Sequence, residues 1–281
     1  MSNLVSTDWL AANMDKVRVV DASWYMPGEK REPAKEFEAG HIPGAVFFDI
    51  DAISDHATGL PHMLPSASDF SLAAGKLGIG NDDMVVAYDG SGIFSAPRLW
   101  WTLKAMGHAN VKVLDGGFPK WKREGRTVET GSARPREKSF TANFQPALKR
   151  DFDDVMGIVQ DRSAQMVDAR SASRFTAEEK EPRAGLRSGH MPGAANVHFR
   201  SLITADGTYK SKDELRAAFE QAGVNLAKPI VTTCGSGMTA AILMLALDEI
   251  GARDTALYDG SWTEWGGRPE APVVPDSAEN G

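Results

Sequence analysis

The sequence predicts an α/β protein of two similar halves in tandem, each a parallel-sheet core with helices on both faces. Two observations predict it: four landmarks recur in the same order, and within each half short β-branched runs alternate with helical patterns. VVDASW, from Val19, answers MVDARS, from Met166, and HIPGA, from His41, answers HMPGA, from His190. VVAYDGSG, from Val85, answers IVTTCGSG, from Ile230, and LDGGFPKW, from Leu114, answers YDGSWTEW, from Tyr258. All four separations fall between 144 and 149 residues, which chance does not produce four times.

Taken in order, the first half offers strands at Val17 to Val20, Val85 to Ala87 and Val111 to Leu114, with a helix over Ala96 to Met106. The second half repeats the pattern. It has a strand at Met166 to Asp168, a helix over Asp213 to Ala222, a strand at Ile230 to Thr233, a helix over Thr239 to Ile250 and a strand at Thr255 to Tyr258. Strands separated by helices pair in parallel, because a crossover helix returns the chain to the same edge, and functional groups then gather at the carboxyl ends of the strands. The polar stretch Arg126 to Gln145 lacks apolar periodicity and reads as the junction. The expected organisation is a first domain over 1–130, a linker over 131–149 and a second domain over 150–281.

Length and composition agree: 281 residues suit about two domains, and 42% apolar with 25% charged residues is ordinary globular composition. The net charge of −7 offers no basic field for nucleic acid or an anionic membrane, so neither partner is expected. No apolar run reaches membrane-spanning length, and the N-terminus lacks a basic region followed by an apolar stretch. A single cysteine allows no intrachain disulfide and fits a reducing compartment, so the cytoplasm is the expected location. Zinc-ligand spacing is absent, and no metal or cofactor is expected.

That cysteine, Cys234, sits in CGSGMT between the Ile230 strand and the following helix. The placement reads as a nucleophile in an anion-binding loop. Gly235 and Gly237 let the backbone fold tightly so that N–H groups point inward, and the positive end of the helix favours negative charge there. The position answering Cys234 in the first half is Asp89, so that loop has no nucleophile. One active site is expected, in the second half, completed by residues from the first. Other conspicuous residues read as structural: His41 and His190 heading Pro-Gly turns, Asp168 with Arg170 as a local pair, Trp121 and Trp265 closing matched turns, and GIGNDD (78–83) as a turn feeding a strand.

Together the H-x-P-G-A turns, the DGG-x-x-x-W closure, the paired halves and the CGSGMT loop resemble tandem-domain rhodanese-type sulfurtransferases over essentially the whole chain. Thiosulfate-specific members typically carry basic residues just after the cysteine; here those positions are Gly235 and Ser236. The loop is more similar to the CG-S/G-G of 3-mercaptopyruvate sulfurtransferases, from which Met238 departs where valine or leucine is expected. The resemblance implies Cys234 as nucleophile and persulfide carrier, with Gly235, Gly237, Met238 and Thr239 as the substrate-binding loop. It also implies Arg174 and Arg183, in RFTAEEKEPRAG, as the guanidinium forks for the substrate carboxylate and keto oxygen, and Ser236, His62 and Asp51 as the proton relay. The implied partners are a small-molecule sulfur donor and a diffusing acceptor: cyanide, a thiol or a reduced thioredoxin-type protein.

Two further readings stay open at this level. One is thiosulfate:cyanide sulfurtransfer, the other a non-enzymatic sulfur carrier or thiol sensor. Phosphatase chemistry on a related fold is excluded, because the C-x5-R arginine is replaced by Ala240.

Overall fold

The computed structural model describes residues 2–275 and contains two five-stranded sheets in which every strand pair is parallel. The first comprises β1 (Leu4–Val5), β2 (Val17–Asp21), β3 (Val46–Phe47), β4 (Met84–Tyr88) and β5 (Val111–Leu114), in the order β1-β5-β4-β2-β3. The second comprises β6 (Lys149–Arg150), β7 (Gln165–Asp168), β8 (Ala195–Asn196), β9 (Ile230–Thr233) and β10 (Thr255–Tyr258), in the order β6-β10-β9-β7-β8. The two orders are the same once the halves are superposed in sequence, so the repeat is a repeat of topology.

The central strands explain themselves. β4 (MVVAY) is buried from Val85 onward and β9 (IVTT) along its whole length, as a parallel strand with helices on its sheet's faces must be. The crossover helices Ala96–Ala105 and Ala240–Glu249 bury almost every residue, the first including Arg98 and Thr102, the second apolar up to Asp248. Helices with an exposed face cover the remaining surface. Four of them, Thr7–Ala11, Ala67–Lys76, Phe152–Asp161 and Lys212–Gln221, begin where Ser6, Ser66, Asp151 or Ser211 accepts a first-turn N–H through its side chain.

The chain divides into two compact units, each with its own core. The first comprises Met1–Asp55, Leu64–Gln145 and Ile203–Tyr209, and the second His56–Met63, Pro146–Leu202 and Lys210–Gly281. Each unit therefore takes in a short segment from the other half of the sequence. The polar stretch expected to be a linker is bound along the first unit as far as Gln145: Lys138 N–H donates to the Gly75 carbonyl, Asn143 N–H to Met106 and Gln145 N–H to Ala105.

The duplicated landmarks do the same structural work in each unit. His41 and His190 place Nδ1 2.7 and 2.8 Å from the carbonyls of Phe37 and Phe175 and stack on those rings at 4.0 and 3.8 Å between centroids. Trp121 and Trp265 are buried, each indole N–H donating to a carbonyl a few residues on, Thr127 and Pro272. The GIGNDD segment is a turn closed by Gly80 N–H on the Asp83 carboxylate, immediately before β4.

Candidate active site

In the second unit β7 and β9 run side by side, with Asp168 in register with Thr233, so the chain leaves both strands together at the carboxyl edge of the sheet. Cys234 is the next residue, and the helix Ala240–Glu249 starts six positions later with Thr239 at its cap. The Cys234 side chain is buried, the residue being 2% exposed, and Ser236, Gly237 and Met238 are buried around it. Gly237 takes φ +77°, the left-handed conformation that turns the loop and that glycine adopts without strain.

Three hydrogen bonds pull the loop carbonyls outward. Trp262 N–H donates to the Cys234 carbonyl at 2.9 Å, and Thr263 donates to the Gly235 carbonyl through N–H at 2.9 Å and Oγ1 at 2.7 Å. Cys234 N–H donates to Ser261 Oγ at 3.2 Å, and that hydroxyl donates to the Tyr258 carbonyl at 2.9 Å. The N–H groups of Gly235, Ser236, Met238 and Thr239 have no acceptor among the described residues. A loop with two carbonyls tied back and four amides unspent, leading into a helix N-terminus, is suited to receive an anion.

The first unit supplies an internal comparison. Its loop holds Asp89 where the second has Cys234, and the Asp89 carboxylate accepts from the N–H groups of Ser91, Phe94, Ser95 and Ala96 at 2.8 to 2.9 Å. Phe118 N–H donates to the Asp89 carbonyl at 3.0 Å, as Trp262 does to that of Cys234. The amide cradle of the first unit is thus filled by the chain's own carboxylate. Gly90, the next residue, lines a cavity of about 290 Å³ together with Asp21, Ser23, Tyr25, Arg31 and Glu36 among others, and a Cβ at Gly90 would collide with the Tyr25 hydroxyl.

Over the Cys234 loop the corresponding place is held by a guanidinium. A Cβ at Gly235 would lie 3.1 Å from Arg174 Nη2, so glycine there lets Arg174 close on the loop. Arg174 is held by Glu181, whose carboxylate accepts from Nε at 3.2 Å and Nη2 at 2.6 Å. Glu181 also accepts from Arg170 Nη1 at 2.8 Å, and Arg170 forks onto Asp168 through Nε at 2.9 Å and Nη2 at 2.6 Å. Arg170 donates further to the Gly189 carbonyl and lies 4.1 Å over the Trp262 ring. Burial by itself would lower the Arg170 pKa, but the charges of Asp168 and Glu181 outweigh it and hold the group above its ordinary value.

The other residues expected at the site are placed as follows. Arg183 is half-buried and makes no hydrogen bond or ion pair with the described residues. His62 is buried, with φ +60°, in the short segment that belongs to the second unit although it precedes most of the first. Asp51 is in the first unit, at the start of the helix Ile50–Ile53, and its carboxylate accepts the Trp24 indole N–H at 2.9 Å. Sequence reasoning missed Glu181, Ser261 and Thr263. Ser261 alone carried a signal: it answers Gly117, and the two share left-handed φ values of +49° and +52°. Among the described residues no group of three or more His, Cys, Asp or Glu could hold a metal ion, and no helix is long and apolar enough to cross a membrane.

Comparison with known proteins agrees with this architecture. A rhodanese-like domain is matched over residues 6–124 and again over 151–268. The 3-mercaptopyruvate sulfurtransferase of Escherichia coli (strain K12) is 45% identical over 274 residues, covering 96% of this chain and 97% of that protein. A thiosulfate sulfurtransferase of Rattus norvegicus is 43% identical over 271 residues, covering 93% of this chain and 91% of its own. The crystal structure of SseA, a 3-mercaptopyruvate sulfotransferase from Escherichia coli, superposes with a TM-score of 0.86 at 43% identity, covering 93% of this chain and 99% of that one. With two matched domains, the same fold and near-complete coverage, the chain belongs to the rhodanese family as a tandem-domain, sulfurtransferase-type enzyme.

Proposed function

We propose that the enzyme takes the sulfur of 3-mercaptopyruvate onto Cys234 and passes it to a diffusing acceptor. The observation that carries the reading is the Arg174 guanidinium beside Gly235 of the Cys234 loop, while Gly235 and Ser236 place no basic side chain immediately after the cysteine. A planar carboxylate with a neighbouring keto oxygen suits such a fork, with Arg183 as the second donor. Thiosulfate presents no such end.

In the first step the Cys234 thiolate attacks the substrate sulfur. The carbon–sulfur bond breaks, its electron pair stays on carbon as the enolate of pyruvate, and a proton taken up at carbon gives pyruvate while the second sulfur remains on Cys234 as a persulfide. Ser236 and His62, both in the second unit, are the groups proposed to move that proton, and Asp51 keeps its proposed part in the relay on family resemblance. The loop amides and the helix N-terminus favour the negative charge on sulfur before and after transfer. In the second step cyanide or a thiol, a reduced thioredoxin-type protein among them, attacks the outer sulfur and returns the Cys234 thiolate. No second cysteine exists in the chain to resolve the persulfide internally, and a lone reactive thiol suits a reducing compartment such as the cytoplasm.

The test is pyruvate release from 3-mercaptopyruvate with and without cyanide, beside thiocyanate formation from thiosulfate. Cyanide-stimulated pyruvate release faster than thiosulfate turnover is expected. A clear thiosulfate preference, or acceptance of persulfide from another donor without pyruvate release, would refute the reading.

A further inference from the structure

We infer that Glu181 is a positioning residue, whose buried carboxylate sets the orientation in which Arg174 meets the substrate. The inference rests on the reading that Arg174 holds the donor's carboxylate end. Glu181 is 2% exposed in its side chain and Arg174 14%, so the contact is made away from bulk solvent. A guanidinium has five N–H donors in a plane. Glu181 takes one from Nε and one from Nη2, which leaves both N–H bonds of Nη1 and the second of Nη2 on the outer edge. Nη2 and Nη1 are the two Arg174 atoms nearest Gly235, at 3.1 and 3.8 Å from the place its Cβ would occupy. The free edge of the fork therefore faces the Cys234 loop because the other edge is occupied.

Glu181 is itself fixed from behind. Arg170 Nη1 binds the Glu181 Oε1 that also receives Arg174 Nε, and Arg170 is held by Asp168 and the Gly189 carbonyl and stacks on Trp262. Trp262 N–H in turn bonds the Cys234 carbonyl. One connected set of contacts thus ties the orientation of the fork to the backbone that carries the nucleophile. An arginine side chain is rich in rotamers, and Glu181 removes much of that freedom before the substrate arrives.

A simple counter-charge would act in the opposite sense. If Glu181 only neutralised its two arginines, Glu181→Gln would leave an extra positive charge and tighten the anionic substrate. A positioning role predicts the reverse, since an amide has one acceptor oxygen where the carboxylate uses Oε1 for Nε and Oε2 for Nη2, and its NH2 would face a guanidinium N–H. Glu181→Asp keeps the charge but draws the carboxylate back by one methylene, out of reach of both arginines at once.

The experiment measures kcat and KM for pyruvate release from 3-mercaptopyruvate in the wild type, Glu181→Gln, Glu181→Asp, Arg174→Ala and the double variant Arg174→Ala/Glu181→Asp, with thermal unfolding of each. Both Glu181 variants are expected to lose on the order of tenfold in kcat/KM, mainly through KM. The double variant is expected to be no worse than Arg174→Ala alone, because Glu181 acts through Arg174. If Glu181→Gln does not fold, the Asp variant and its cycle with Arg174→Ala decide. A lowered KM in Glu181→Gln, an unchanged KM in Glu181→Asp, or losses that add in the double variant would overturn the assignment. Wild-type protein that releases no pyruvate would instead overturn the reading of substrate on which the assignment rests.

Discussion

Cys234 is 2% exposed, so the chemistry proposed for its thiol would be gated by what the surrounding side chains admit. Cys234→Ser is expected to abolish sulfur transfer while leaving the far-UV spectrum and unfolding midpoint unchanged; retained transfer would remove this residue from the mechanism. Arg174→Ala and Arg183→Ala should each weaken use of 3-mercaptopyruvate by about 1.5 to 3 kcal/mol in kcat/KM, the scale of a charge-assisted hydrogen bond. A loss within experimental error at either position would show that its guanidinium does not meet the substrate. Asp21 shows what a buried carboxylate does without the arginine that its counterpart enjoys. Asp168 is forked by Arg170, but Ser23 stands at the matching position beside Asp21, and burial raises the Asp21 pKa from 3.8 to about 6 despite the hydrogen bonds of Ser23. Between those two values the folded group keeps a proton that the unfolded one has lost. Its contribution to stability is therefore largest below about pH 4 and falls as pH rises to about 6, by on the order of 3 kcal/mol. Asp21→Asn should flatten that fall in urea unfolding measured from pH 4 to 7, and an unchanged slope would place the titration elsewhere.

At the scale of elements, one device appears twice, with an aspartate in one loop and a cysteine in the other. In each unit a strand ends in a glycine-containing loop that opens onto the N-terminus of a buried helix. In the first unit Asp89 satisfies the loop and helix amides itself, accepting four N–H groups. Asp89→Ala would leave those donors to water or unpaired at the start of Ala96–Ala105 and is expected to cost about 2 to 3 kcal/mol. The measurement is the midpoint of chemical unfolding, and a shift too small to resolve would show that solvent replaces the carboxylate fully. The strand-loop-helix device was legible in sequence because β-branched strands, glycines and an apolar helix follow one another in both halves. The flanking two-residue strands β1, β3, β6 and β8 were not, since two residues carry no period and such strands are formed by neighbours already in place.

For the whole molecule, the units are not a simple cut of the chain. His56–Met63 clusters with the second unit, carrying His62 with it, and Ile203–Tyr209 clusters with the first. A fragment of residues 146–281 holds every strand of the second sheet but lacks His56–Met63. It is expected to unfold at lower denaturant than the second unit does in the full chain; equal midpoints would show that the segment adds nothing to the packing. The net charge of −7 would repel an anionic donor at long range, so under the proposed function capture would rest on Arg174 beside the loop rather than on the overall field.

Sequence by itself determined the duplication, the two parallel sheets, the position of the only cysteine at a strand-to-helix loop, and the aspartate that stands at the matching position of the first half. These are local or periodic properties, written in consecutive residues and read without knowing what packs on what. Only the tertiary structure decided which of Glu178, Glu179 and Glu181 turns inward to hold Arg174, that Ser261 receives the Cys234 amide, and that Asp89 occupies the cradle Cys234 leaves open. Those choices depend on contacts between residues distant in sequence or on the direction in which a loop side chain points, and neither leaves a spacing in the chain that a reader could count.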